Sequence, residues 1–242
     1  MGAGVAGRWF GDVVGDDVAF ADVDGAAAEA AAEQIHRQHG RQGRVVELDT
    51  EESFGVVCLA VPLPDAAAAV RQHGAKAQTA VVDVTGVMAA PLAAMAAVAP
   101  ARERASYHPL FDPAAPPGRV AVARATDGPV TDRIDRALAE AGHDVVAVDP
   151  DRHDEAMATI QGRAHAAILA FGLAADPVPE ALATPVYEEL AGLVARVTGG
   201  NPRVYADIQS VFGGAAEIAD AAEALADADA TAFEALYEDA GG

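Results

Sequence analysis

The stretch Ser106-Tyr107-His108-Pro109-Leu110-Phe111 holds the side chain best suited in this chain to moving a proton. Proline disfavours the helical region for its predecessor, so His108 is held extended. An imidazole fixed in this way can act as a general base near neutral pH, and it can equally be a structural histidine. His153, Gln161 and His165 lie on an otherwise apolar helical stretch, the last two at i,i+4 on one face. They read as pocket-lining groups or as hydrogen-bonded core and dimer contacts. Arg196 stands inside the apolar run Leu193-Val194-Ala195-Arg196-Val197. Burying a lone guanidinium is costly, so Arg196 wants an anion, either a protein carboxylate or a ligand carboxylate.

Other chemistries find no residues. The chain carries no nucleophile elbow, no Walker loop and no helical His-Glu-x-x-His. Among its seven histidines, His153 stands beside a carboxylate in His153-Asp154, and adjacent helical residues are expected to point apart. No metal site is therefore expected. Cys58 is the only cysteine, which excludes an internal disulfide and a Cys-based zinc site, and Gly55 to Ala60 reads as a buried apolar strand around it.

The elements that must position these groups begin at Gly2-Ala3-Gly4-Val5-Ala6-Gly7. This run fits G-x-G-x-x-G, the turn that brings backbone close to a dinucleotide pyrophosphate at a helix N-terminus. Gly2, Gly4 and Gly7 are thus candidate cofactor residues, ahead of a short helix over Arg8 to Val14. Val18 to Asp22 is a short strand ending in an acid about 20 residues beyond the turn, where a ribose-binding carboxylate belongs. Such a carboxylate accepts from both ribose hydroxyls and repels a 2′-phosphate, so Asp22 favours NAD over NADP. Asp24 takes the role if the strand runs two residues further, and a plain strand-end or cap aspartate is the structural alternative.

Strands alternate with helices from there. Arg44 to Leu48, Val56 to Ala60, Ala80 to Val84, Val120 to Ala123 and Asp144 to Val148 read as strands, with a short one just before Ser106. Helices are expected over Ala26 to His39, Asp65 to His73, Pro91 to Val98 and Pro129 to Ala141. Pro113, Pro116, Pro117 and Gly118 mark a loop. This alternation predicts an α/β fold with a doubly wound parallel sheet and its ligand at the carboxyl ends of the strands, where Val61-Pro62 and Thr85-Gly86 should border the cofactor crevice. From Asp151 the strand signal stops. One long helix is expected to Phe171, then helices over Val186 to Val197, Pro202 to Val211 and Ala215 to Ala226, with Gly199-Gly200-Asn201-Pro202 as a stop-then-start signal. The expected division is a dinucleotide-binding domain over residues 1–149 and an alanine-rich helical domain over 150–242 that packs against a twin.

The 242 residues carry 16 basic and 37 acidic side chains, a formal charge of −21, and Lys76 is the only lysine. So acidic a chain repels nucleic acid and anionic membrane, which excludes both as partners. No apolar run reaches the roughly 18 residues of a membrane span, and no secretory signal pattern opens the chain, so the cytoplasm is the expected compartment. The acidic, lysine-poor, alanine-rich surface reads as a plain solvated surface or, in a sharper form, as one suited to a salt-rich cytosol.

The sequence resembles the prephenate dehydrogenases, most closely those of salt-loving archaea. The resemblance rests on the glycine turn with Arg8, the acid-ended second strand, Ala60-Val61-Pro62, Asp83-Val84-Thr85-Gly86-Val87 and His108-Pro109-Leu110-Phe111. It continues through His153-Asp154 to Gln161 and His165, and Thr184-Pro185-Val186-Tyr187 through Arg196 to Tyr205-Ala206-Asp207-Ile208. It implies a Rossmann-type domain followed by a helical, dimerising one. It also implies oxidative decarboxylation of prephenate by NAD to 4-hydroxyphenylpyruvate, with arogenate as the rival substrate and a non-catalytic NAD-binding dimer as the rival of another class. By the same resemblance His108 matches the catalytic histidine, Arg196 the arginine that binds substrate, and His165 a histidine lining the substrate pocket. Gly86-Val87-Met88 departs from a common Ser-Val-Lys, so a serine that supports the catalytic histidine is missing, and Thr85 is its candidate substitute. Asp112 replaces a glycine after the His-Pro-Leu-Phe block. A strand is also missing ahead of the glycine turn, which leads to the expectation that the natural start lies about 5–7 residues upstream.

Overall fold

The structure, a computed structural model, describes residues 1–112 and 116–241, and Pro113 of the expected proline loop lies outside the described residues. The chain divides into two compact units, Met1–Asp154 and Glu155–Gly242, against an expected boundary near Pro150.

In the first unit the expected alternation is present. The elements run α1 Val5–Val14, β1 Val18–Phe20, α2 Gly25–His39, β2 Gly43–Val45, β3 Phe54–Leu59, α3 Ala66–His73 and β4 Ala77–Asp83. They continue with α4 Ala89–Val98, β5 Glu103–Pro109, β6 Arg119–Thr126, α5 Pro129–Glu140, β7 Asp144–Ala147 and α6 Pro150–Met157, within which the division falls. β3 to β7 form a sheet in sequence order. It is parallel except at β5–β6, which pair antiparallel. The expected doubly wound parallel sheet is thus present with one antiparallel pair, and the cause of that pair is local. Parallel neighbours need a crossover of a dozen or more residues, usually a helix, and only a short proline-containing connection joins β5 to β6.

The period-two alternation of each strand sends neighbouring side chains to opposite faces. Val57, Leu59 and Val81 pack with Val70, Leu92 and Met95 of α3 and α4. Val82, Ala105, Tyr107, Val120 and Val122 pack with Trp9, Phe10, Ile134 and Leu138 of α1 and α5. Two apolar faces, each covered by helices, make the sheet doubly wound, and each fully buried Val or Leu contributes about 1.5–3 kcal/mol.

β1 and β2 form a separate parallel pair under α2. Among the described residues no strand lies between β1 and β3. Met1 and Gly2 join the two sheets instead: the Met1 amine donates to Cys58 O (2.9 Å), Ala60 N to Met1 O (2.8 Å) and Gly2 N to Ala21 O (2.8 Å). Beside this link is a cavity of about 500 Å³ lined in part by Phe10, Phe20, Val56, Cys58 and Ile134. Cys58, expected buried, is half-buried.

The second unit is helical: a π-helical turn Ala158–Arg163, α7 Ala164–Ala174, α8 Pro185–Thr198, α9 Pro202–Phe212, α10 Ala215–Asp227 and α11 Ala230–Gly241. The long helix expected to Phe171 is thus interrupted by the π turn. Thr184 caps α8 by accepting from Tyr187 N, and Asn201 caps α9 by accepting from Arg203 N, each with proline in the first turn.

Candidate active site

The chemistry-bearing residues of the first unit collect where β4, β5 and the start of α6 meet. Asp83 ends β4 and is fully buried. Its Oδ1 accepts from Thr85 N (3.1 Å) and Thr85 Oγ1 (2.7 Å), which turns the chain sharply off the strand. Burial pushes the Asp83 carboxyl up to about 7, with the Thr85 hydrogen bonds opposing. Gly86 follows with φ +102°, a left-handed conformation that side chains rarely adopt.

His108 was expected just after a strand. Ser106, Tyr107 and His108 are instead inside β5, with His108 paired to Ala121 of β6. The residue is 6% exposed, and its Nδ1 lies 3.0 Å from Nε2 of His153. His153 Nδ1 lies 2.8 Å from Asp154 Oδ1. These two helical neighbours therefore converge, contrary to the expectation that they point apart. They do so at the first turns of α6, where Asp154 also reaches back to accept from Met88 N (3.0 Å) and Ala89 N (3.0 Å) at the start of α4. Burial acts to raise the Asp154 pKa, but the hydrogen bonds from His153, Ala89 and Met88 hold it below the ordinary carboxylate range. Burial, with His153 alongside, pushes His108 down to about 3 against the pull of Asp154, so its ring is neutral at physiological pH.

A line of three side chains thus runs from a carboxylate through one imidazole to another. Sequence reasoning had singled out His108 and His153 but not their contact. The one usable signal was that His153 opens the helix after β7, two strands from β5 in the sheet. Thr85, the candidate substitute for the missing serine, directs its hydroxyl hydrogen to Asp83.

The cofactor candidates form a second group in this unit. Gly2 has φ +93°, and a Cβ there would run into the Ala60 carbonyl. A Cβ on Gly7 would meet the Gly2 carbonyl, whereas one on Gly4 would meet open space. Gly4 caps α1, so the first amides of that helix face the opening. Asp22 clasps this turn, Oδ2 accepting from Ala3 N (2.6 Å) and Oδ1 from Asp24 N (2.9 Å). β1 ends at Phe20, two residues before Asp22, and Asp24 caps α2 through Ala26 N and Ala27 N. Val61 is half-buried and Pro62 exposed after β3. Among the described residues no group of three or more His, Cys, Asp or Glu could hold a metal ion.

In the second unit His165 is half-buried on α7 and its ring meets Tyr205 edge-on at 5.0 Å between centroids. Burial lowers its pKa. The π turn directly precedes it and places Gly162 O where Gln209 Nε2 donates to it (2.7 Å). Arg196, expected within a buried run, is exposed on α8.

A 4-amino-4-deoxyprephenate dehydrogenase from Streptomyces pristinaespiralis is 33% identical over 229 residues, covering 88% of this chain and 76% of that protein. The chain belongs to the prephenate dehydrogenase family. No family model matches it. Members of this family share its fold: a prephenate dehydrogenase from A. aeolicus, solved with hydroxyphenyl propionate and NAD+, has a TM-score of 0.64 at 15% identity, with 92% of this chain and 85% of that one covered. A Synechocystis arogenate dehydrogenase has a TM-score of 0.59 at 17% identity, with 99% and 94% covered. The Rossmann domain followed by a helical region is the architecture common to them.

Proposed function

We propose that the protein oxidises and decarboxylates prephenate with NAD, giving 4-hydroxyphenylpyruvate, carbon dioxide and NADH. The observation that carries this reading is a neutral, buried His108 held on one nitrogen by His153, in a chain of this family. The residues also fit a dinucleotide. A glycine turn closed on Ala60, an open Gly4 ahead of the α1 amides and a carboxylate at the end of β1 are what a pyrophosphate and an adenine ribose require. Asp22 repels a 2′-phosphate, so NADP is disfavoured.

NAD, when bound, accepts the hydride from the ring carbon that carries the hydroxyl. His108 takes the hydroxyl proton as that hydride leaves, and burial keeps water from competing for the imidazole. The ring carboxylate then leaves as carbon dioxide, its bonding electrons completing the aromatic ring, and the phenolate oxygen recovers a proton. Gain of aromaticity drives this last step without a metal. Arg196 binds a substrate carboxylate through its guanidinium fork, and His165 lines the substrate pocket.

The finer setting belongs to the same proposal. The helical unit exposes Leu173, Leu182, Val186, Phe233 and Tyr237, at 89%, 72%, 69%, 48% and 75%. An apolar surface of this kind supports a homodimer through that unit. The charge of −21 with a single lysine supports a salt-rich cytosol as the working medium. Among the described residues no helix is long and apolar enough to cross a membrane.

The Streptomyces relative favours a second reading, in which the substrate carries a 4-amino group in place of the hydroxyl. Parallel assays of NADH formation at high salt with prephenate, arogenate and 4-amino-4-deoxyprephenate decide between them. Fastest turnover on prephenate is expected, and no turnover on any of the three would overturn the enzymatic reading.

A further inference from the structure

We propose that Asp154 and His153 are positioning residues that dictate which nitrogen of His108 carries the lone pair that accepts a proton. The inference rests on His108 being the base, as proposed above, but its structural half stands apart from that reading. Asp154 is acceptor only when ionised, and it receives Met88 N and Ala89 N as well as His153 Nδ1. His153 Nδ1 therefore carries the hydrogen. In a neutral imidazole the other nitrogen is then an acceptor, so His153 Nε2 presents a lone pair to His108 Nδ1, 3.0 Å away. His108 Nδ1 must donate. The lone pair of His108 is consequently on Nε2, the nitrogen on the Gly86 side, where a Cβ would lie 3.1 Å away. Two backbone amides thus set a carboxylate, the carboxylate sets one histidine, and that histidine sets the base. When Nε2 takes the substrate proton, the new charge on His108 is shared through Nδ1–H toward His153 and faces the Asp154 carboxylate at the far end of the line.

The missing serine gives the arrangement its purpose in this chain. Gly86 brings no hydroxyl to the Nε2 side, while His153 holds the Nδ1 side.

Asp154→Asn tests the relay, because its oxygen and nitrogen are not equivalent to the surroundings. Oδ2 accepts from both Ala89 N (3.0 Å) and Met88 N (3.3 Å), so an amide oxygen kept there leaves the NH2 group at the Oδ1 position, facing His153 Nδ1. Each imidazole must then reverse, and the hydrogen of His108 moves to Nε2, where it blocks proton acceptance. Nitrogen-15 NMR of the histidine-labelled full chain at neutral pH is expected to show His108 protonated on Nδ1 in the wild type and on Nε2 in Asp154→Asn. Turnover is expected to fall about 10²–10⁴-fold while KM for prephenate and NAD affinity change less than about threefold. A wild-type His108 protonated on Nε2 overturns the proposal without any variant, as does an unreversed ring in a folded Asp154→Asn protein. Reversal with undiminished turnover would uphold the relay and remove His108 as the base, so the two readings fail separately.

Discussion

A Cβ placed on Gly86 would lie 3.1 Å from Nε2 of His108, in a turn where φ is +102°. His108 and the turn after β4 therefore approach closely through the one residue type that permits both the turn and the approach. Gly86→Ala introduces strain of about 1–2 kcal/mol from the left-handed conformation alone. Thermal unfolding is expected to drop by several degrees and turnover to fall with it. A melting curve superimposable on the wild type would show that the turn is not constrained as described.

Asp22 touches the glycine turn and, in the function proposed above, carries the charge that discriminates cofactors. Asp22→Asn keeps an acceptor for Ala3 N while removing the charge. The ratio of kcat/KM with NAD to that with NADP is expected to fall about tenfold or more, the equivalent of about 1.4 kcal/mol. An unchanged ratio would place discrimination elsewhere.

Arg196 is exposed on α8, so its loss leaves no buried cavity. Arg196→Ala is expected to raise KM for prephenate about 10–100-fold with kcat within about twofold, as removal of a charged hydrogen bond predicts. A fall in kcat at constant KM would assign it to the chemical step instead.

The depressed pKa of His108 also links stability to pH. Its unfolded value is 6.5 and its folded value about 3, so below pH 6.5 only the unfolded chain gains the proton. Folding stability attached to this residue is complete above pH 6.5 and is lost as pH falls toward 3. Asp83, raised from 3.8 to about 7 on the neighbouring strand, runs the other way, its penalty growing from pH 3.8 to 7. Asp154, held below its usual range, adds an acid-side loss of its own. Urea midpoints for His108→Asn should decline less steeply than the wild type between pH 6.5 and 4. Parallel curves would contradict the burial of a neutral imidazole.

Much of this arrangement was legible in the residues. Val57, Leu59, Val81 and Val82 declare a two-faced sheet by composition, and Pro109 marks His108 as extended. The antiparallel β5–β6 pair was readable too, since Leu110 to Gly118 is too short for a crossover helix. The His108–His153 contact was not. It arises because the sheet sets β5 and the start of α6 side by side, a relationship between residues far apart in sequence that no local pattern encodes. Nor does the pattern of Ala158 to Arg163 announce a π turn, because the apolar periodicity continues through it. Arg196 misled for a related reason: its neighbours Val194 and Val197 point inward while it turns outward.

The most direct test is turnover of prephenate by His108→Asn beside the wild type, with NAD binding measured on both. Wild-type protein should form NADH and 4-hydroxyphenylpyruvate, and the variant should bind NAD equally well while turning over about 10²–10⁴-fold more slowly. Near-normal turnover in the variant would contradict the assignment of His108 as the base.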